Sequence, residues 1–286
     1  MRESGLRWRR VRDAAFTALV TAVSLAAVAP LFHLLWAVFS RGVRTIASVG
    51  LIRFLTSLPP APASKELGGI GPALAGTALL TAVSTLISVP VSLSVAILAV
   101  EFPRNPLSKA VRVMSKAFME VPTVLLSMLI YALVVVPMHT PSAIAGSLAL
   151  SLVMIPYMTT YIESAMESVP RTYREAGYSI GMGKAEVTFD VVLGAARRGA
   201  ALGIVMGVAR GLGETAPLLF TAGGSHYAYP MGLWWPTDSL TLLIFDFAMT
   251  PYKNLNAVAW GAALILVAIY LIIFATVRAL VKEVRG

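Results

Sequence analysis

Between Ala14 and Ser40 the chain carries no Asp, Glu, Lys or Arg, and comparable apolar stretches recur near 72–100, 118–138, 142–162, 200–222 and 257–277. A helix rises about 1.5 Å per residue, so roughly 20 apolar residues cover the hydrocarbon core of a bilayer. The stretches therefore predict six transmembrane helices. The third and fourth arise from one run between Val121 and Ile162 that is too long for one crossing, and Pro137-Met138-His139-Thr140-Pro141 supplies a turn midway. A soluble fold is excluded on the same ground: with 57% hydrophobic and 13% charged residues there is too little polar surface to coat one. The first stretch follows Arg2, Arg7, Arg9, Arg10 and Arg12, as in a signal peptide, but it exceeds the 7 to 15 residues of a cleavable apolar region. It reads as a retained span.

Orientation follows from the basic residues, which concentrate on the cytoplasmic side. With the N-terminus inside, the inner connections hold Arg2, Arg7, Arg9, Arg10, Arg12, Arg104, Lys109, Arg112, Lys116, Arg171, Arg174, Lys184, Arg197, Arg198, Arg278, Lys282 and Arg285. The outer ones hold Arg41, Arg44, Arg53, Lys65 and Lys253. Both termini are thus expected in the cytoplasm. The net charge of +9 is spent on this asymmetry, and no soluble basic face for nucleic acid is expected. Cysteine is absent, which removes disulfides, thiolate catalysis and Cys-ligated zinc. His33, His139 and His226 are scattered without metal-ligand spacing and read as packing or interface residues.

Two connections are long. The outer segment 223–256, with Tyr227, Tyr229, Trp234, Trp235 and Pro236, is expected to lie at the interface, with Asp238 and Asp246 in solvated or interfacial structure. The inner segment 163–199 is amphipathic. Ser168 is expected to cap a helix with Pro170 in its first turn, Gly181 and Gly183 to end it, and a second helical stretch to follow from Lys184 to Leu193. Glu120 is expected to pair with Lys116.

The inner segment resembles the EAA motif of ATP-binding-cassette (ABC) import permeases, in which Glu-Ala-Ala is followed after three residues by Gly, then after nine by Ile-x-Leu-Pro. Here Glu175-Ala176-Gly177 precedes Gly181, Val191 and Leu193, with Gly177, Val191 and Gly194 as departures. The resemblance implies a short helix that seats in a separate ATPase subunit. Arg171, Tyr173, Arg174, Glu175 and Tyr178 offer the mixed charge and apolar surface that docking needs, with Glu175, Ala176 and Gly181 as the expected contact core and Arg174 and Gly177 beside them. The chain has no nucleotide site of its own, because Gly183-Lys184 is followed by Ala185 and lacks the leading glycine of a phosphate-binding loop. No cofactor is expected on this chain, and ATP-Mg falls to the partner ATPase.

Span five is expected to begin at Gly199. Glycines at 199, 203, 207 and 211 form the small-residue ladder that lets membrane helices approach closely. At about 100° per residue, Arg210 and Glu214 fall in the same sector and point into protein. A charge at membrane depth costs at least about 2.5 kcal/mol, so such residues pair or face a watery path. Two readings stay open: a pair that locks packing, or an Arg210 that attracts an oxyanion while Glu214 tempers its grip. Pro217 is expected to interrupt the helix near the pathway.

The string from Ala209 to Ala222, ARGLGETAPLLFTA, is similar to the signature of the PstA family, permease subunits of bacterial and archaeal phosphate importers. So are Gly76-Thr77 through Glu101-Phe102, Val121-Pro122-Thr123 and Val169-Pro170 with Tyr173-Arg174-Glu175, a similarity over about residues 70 to 277. The resemblance implies an all-α polytopic protein of the type I ABC importer permease fold in a prokaryotic cytoplasmic membrane. Residues 1–70 would form an N-terminal segment with the first span, and 71–280 the transporter domain with its coupling loop at 163–199. It implies a second permease, an ATPase homodimer and an external phosphate-binding protein as partners, surrounding lipid, and a non-catalytic role. It places Arg210, Glu214 and Thr215 on the substrate pathway. Other tetrahedral oxyanions (sulfate, molybdate, tungstate) remain alternatives, and so does a secondary anion transporter, although that would normally be built from repeated halves.

Overall fold

The computed structural model describes the backbone of residues 2–282 and the side chains of residues 12–278. The basic residues Arg2, Arg7, Arg9, Arg10 and Lys282 lie outside the described side chains, and Arg285 outside the described residues. Eleven helices appear among the described residues: α1 (Arg2–Val49), α2 (Leu51–Thr56), α3 (Gly71–Glu101), α4 (Pro106–Glu120), α5 (Thr123–Met138), α6 (Ala143–Glu167), α7 (Arg171–Ser179), α8 (Lys184–Leu212), α9 (Ala216–Leu219), α10 (Leu240–Ala248) and α11 (Lys253–Lys282). No strand forms among them.

Five helices, α1, α3, α6, α8 and α11, are long and apolar enough to cross a membrane. α4 and α5 are bent by 108° where they meet, and the count reaches six if the pair is taken as one broken span. The third span therefore does not start at 118. Phe118, Met119 and Glu120 finish the amphipathic α4, and Val121-Pro122 turns the chain into α5, because proline disfavours helical backbone in the residue before it. Glu120 forms no ion pair with Lys116 among the described residues.

α6 is the centre of the packing, held by two seams of small residues at different heights along it. Against α3, Ser84 Oγ donates to the carbonyls of Leu80 (2.6 Å) and Ser147 (3.1 Å), Ser151 Oγ to that of Ser84 (3.3 Å), and Ser92 Oγ to that of Ile155 (3.2 Å). Between membrane helices, small polar residues permit close backbones and satisfy one another. Against α8, the glycine ladder runs antiparallel to α6: Gly199 lies over Ala165, Gly203 over Tyr161 and Ile162, Gly207 over Met158 and Gly211 over Met154.

The expected second helix at 184–193 is not a separate element. It continues into the span as one helix, so α8 starts at Lys184 rather than near Gly199, with a π-helical stretch at Val187–Leu193. Ser168 closes α6, donating Oγ to the Ala165 carbonyl (2.7 Å), and does not cap α7; Pro170 stands at the N-cap of α7. Gly181 adopts φ +85° and ends α7 as expected, whereas Gly183 begins α8, its N–H donating to Glu186 Oε2 (2.7 Å). α8 stops at Leu212, four residues before the proline turn, because Gly213 and Glu214 leave helical hydrogen bonding; Pro217 sits in the first turn of α9 and is not the interruption.

Segment 223–256 packs into the body of the protein. α10 is buried on one side, and Leu240, Leu243 and Phe247 pack with Phe54, Ile70, Ala73, Leu255 and Val258 into a second core. Thr77 Oγ1 accepts from the Leu240 N–H (2.8 Å), pinning the start of α10 to α3. By contrast, every described residue of α1 from Arg12 to Trp36 is exposed, and only its end packs, with Gly42 against Trp260 and Leu264 of α11.

A side chain added at Gly203 would lie 2.7 Å from Tyr161 Cβ and 3.3 Å from the Ile162 backbone nitrogen. Gly203→Val is expected to cost about 1–3 kcal/mol through overpacking, seen as a lower midpoint in thermal unfolding of the purified protein. Gly194→Ala, where nothing lies within 4 Å of the added carbon, should instead leave it unchanged or raise it.

Candidate functional site

Arg210 stands in the last turn of α8 and Glu214 just past its end, and the two side chains form an ion pair. The predicted pairing therefore holds, but not on a continuous helix, since the chain leaves α8 between them. The partners differ in access: the Glu214 side chain is 7% exposed and that of Arg210 is 39%. Glu214 is fixed from behind. Its N–H donates to the Gly211 carbonyl (3.1 Å), and its own carbonyl accepts from Thr241 Oγ1 (3.0 Å) at the start of α10. The guanidinium thus has an anchored carboxylate on one side and is otherwise only partly covered.

Beside the guanidinium is a cavity of about 440 Å³ lined by Tyr157, Tyr161, Met206, Arg210, Gly213 and Tyr270. The Arg210 guanidinium lies over the Tyr157 ring, 5.4 Å from its centroid, an arrangement that steadies a cation without neutralising it. Tyr270 Oη donates to the Ala209 carbonyl (2.8 Å), and a side chain at Gly213 would fall on that hydroxyl. Gly213 is therefore what lets α11 hold the end of α8. Thr215, expected on the pathway, does not line this cavity; it begins α9, its carbonyl accepting from Leu218 (3.1 Å) and Leu219 (3.2 Å). The sequence reading missed the three tyrosines. Their only signal is polar hydroxyls within otherwise aliphatic spans.

At the other end of α8 a knot of charges joins five helices. Arg174 of α7 donates from Nε and Nη2 to Glu101 Oε1 (3.2 and 3.0 Å) at the end of α3, and to the carbonyls of Val169 (2.9 Å) and Met166 (3.3 Å). Lys184 Nζ donates to the Glu101 carbonyl (3.0 Å) and rests over the Phe102 ring. Arg112 of α4 contacts Glu163 (2.9 Å) and Glu167 (3.2 Å) of α6 and donates to the Ala99 carbonyl (3.1 Å). Arg174 is committed inside the chain, and Gly177 is buried against Val187. Glu175, Ala176 and Gly181 are exposed together with Tyr173 and Tyr178, so α7 presents a free face whose back is bolted down.

The outer segment holds a third cluster. His226 lies between two carboxylates, Nδ1 2.8 Å from Asp238 and Nε2 2.9 Å from Asp246. Asp238 is fully buried rather than solvated, since residues 237–239 are drawn in between α3 and α10. Burial opposes the charge on His226, but the hydrogen bond and charge of Asp238, then those of Asp246, raise its pKa above the ordinary value. Burial likewise pushes the Asp238 carboxyl up, against the pull of His226. Only a protonated imidazole donates from both nitrogens. Among the described residues no group of three or more His, Asp or Glu side chains is arranged to hold a metal ion.

With a folded-state pKa above about 6.5, protonated His226 contributes stability that is complete below that value and is lost as pH rises through the raised pKa. Hydrogen exchange of residues 224–246, corrected for intrinsic rates, should be slowest in mild acid and accelerate as His226 deprotonates. In His226→Gln that dependence should flatten.

Residues 88–286 match the family of binding-protein-dependent transport system inner membrane components. Over 275 residues, 96% of this chain and 95% of the relative, the sequence is 39% identical to the probable phosphate transport system permease protein PstA of Methanocaldococcus jannaschii. It is 30% identical to the phosphate transport system permease protein PstA of Yersinia pestis, over 91% of this chain and 86% of that one. The fold is that of a permease chain of the MetNI methionine ABC transporter in an inward-facing conformation, with a TM-score of 0.57 and 17% identity over 74% of this chain and 94% of that one. The small-residue seams, the bolted helix α7 and the match over most of the sequence lead to one assignment: the chain belongs to the family of inner membrane components of binding-protein-dependent transport systems.

Proposed function

We propose that the chain is a permease subunit of an ATP-driven ABC importer for inorganic phosphate. The observation that carries the cargo assignment is the half-satisfied Arg210, held by Glu214 on one side and open to a tyrosine-lined cavity on the other. The printed names of the relatives support it. A guanidinium offers parallel donors to a tetrahedral oxyanion. A path must also let its cargo go, and the anchored Glu214 lowers the net charge that the anion meets. The cavity is open on one side, which suits a pathway completed by a second permease.

The segment 163–199 is read as the coupling loop, with α7 facing a cytoplasmic ATPase homodimer that hydrolyses ATP-Mg. This orientation has both termini inside, a reading that the distribution of Lys and Arg supports. An external phosphate-binding protein delivers cargo at the opposite face. The exposed Glu175 and Ala176 and the positive-φ turn at Gly181 form the docking face, while Arg174 works behind it by fastening α7 to Glu101. ATP binding in the partners displaces α7; α8, which packs against α7 through Val187, carries the displacement to Arg210. The chain itself performs no chemistry.

Arg210→Gln removes the charge and should lower phosphate uptake into proteoliposomes of the assembled transporter at least about tenfold, with ATPase co-purification unchanged. Normal uptake would leave the pair a packing device. Excess sulfate that suppressed uptake as well as unlabelled phosphate does would point to another oxyanion. Glu175→Arg should leave the permease in the membrane but abolish ATPase co-purification and uptake together; retention of both would remove α7 as the docking element.

A further inference from the structure

Helix α4 is divided into three faces that ask for three surroundings. Ser108, Val111, Arg112, Ser115, Phe118 and Met119 turn towards the protein and are buried or half-buried. Leu107, Val113 and Met114 are 56%, 67% and 55% exposed and share a second arc with Ala110 and Ala117. Lys109 and Lys116 occupy the third, seven residues apart on one side of the helix, exposed and in no ion pair among the described residues. The 108° bend sets α4 across the direction of α5 instead of along it. An amphipathic helix of this kind, apolar on one side and basic on the other, lies in the plane of a membrane interface.

Between α4 and the spans beside it is a cleft of about 170 Å³, walled by Val95 of α3, Val111, Met114 and Phe118 of α4, and Leu152 and Ile155 of α6. Ser115 is its one hydroxyl, and the exposed Met114 stands at its edge. A hydrocarbon chain fits such walls, and the two lysines nearby, neither in a salt bridge although the charge of Lys116 is felt at Glu163, suit a negative headgroup. We propose that α4 and this cleft form a binding site for an anionic phospholipid, with Lys109 and Lys116 on the phosphate of the headgroup and one hydrocarbon chain in the cleft. Glu120 at the end of the helix and Glu163 of α6, which feels the charge of Lys116, are the acidic side chains that limit how far the basic arc extends.

The site bears on transport through Arg112. It leaves the same helix to hold Glu163 and Glu167, the latter four residues before α7 begins. A lipid that steadies α4 therefore steadies the entry to the docking helix. The assignment of the site to the cytoplasmic leaflet rests on the orientation proposed above, but binding itself does not depend on the cargo.

Native mass spectrometry of the assembled transporter, offered phosphatidylglycerol or phosphatidylcholine in detergent, tests this directly. Phosphatidylglycerol should be retained about tenfold more strongly. Lys109→Gln with Lys116→Gln should abolish the preference, and Lys109→Arg with Lys116→Arg should keep it. Met114→Trp, which fills the cleft, should weaken retention of both lipids while leaving the charges in place. Equal retention by the unchanged protein, or a preference that survives the double glutamine variant, overturns the proposal. So does chemical cross-linking of Lys116 to another protein subunit, which would make α4 a subunit interface. None of these outcomes alters the expected effect of Arg210→Gln, so the lipid site and the phosphate reading fail separately.

Discussion

Close approach of helix backbones is the constraint on which this structure depends. Hydrocarbon supplies no hydrophobic force to bring helices together, so α6 is held by what small side chains permit: hydroxyl to carbonyl contacts with α3 and bare glycine faces on α8. The two seams fix where α8 lies relative to α6. That placement sets Arg210 over Tyr157 and brings Gly213 under the Tyr270 hydroxyl. The cavity at the end of α8 exists because these backbones meet and the chain then turns away.

The charges obey a related rule. Few can be left uncompensated near hydrocarbon, and each of the conspicuous ones is used to fasten an end. Glu101 receives Arg174 on its carboxylate and Lys184 on its carbonyl, joining α3, α7 and α8. Arg112 does the same for α4 and α6. In the outer segment His226 ties residue 238 to residue 246, and Thr241 passes from there to the carbonyl of Glu214. Both ends of α8 are therefore held by short polar connections.

Much of this was legible from hydropathy and spacing. The span positions at 72–100, 142–162 and 257–277 agree closely with α3, α6 and α11, because uniform apolar composition fixes a crossing helix well. The glycine period announced a buried face, though not the partner that buries it, since periodicity describes one helix at a time. Where the reading failed, local signals were overruled by neighbours. Ser168 has the chemistry of an N-cap but is consumed by the end of α6. Asp238 looks like a loop carboxylate in sequence, and only the fold supplies the histidine that makes its burial tolerable. Arg174 reads as a surface docking residue because its acceptor, Glu101, is 73 residues away. Pro217 drew attention to the wrong break, since glycine followed by a tethered glutamate had already ended the helix.

The uninterrupted course of α8 has a consequence for how force travels. A helix from Lys184 to Leu212 is a single rod about 43 Å long, with one end against α7 and the other carrying the guanidinium. No loop intervenes to absorb a push. What yields first is the widened turn at Val187–Leu193, where hydrogen bonds reach one residue further than in the rest of the rod. In the proposed coupling, the displacement that reaches Arg210 would therefore be set by how stiff these seven residues are, and tightening or loosening that turn would change it without touching either end.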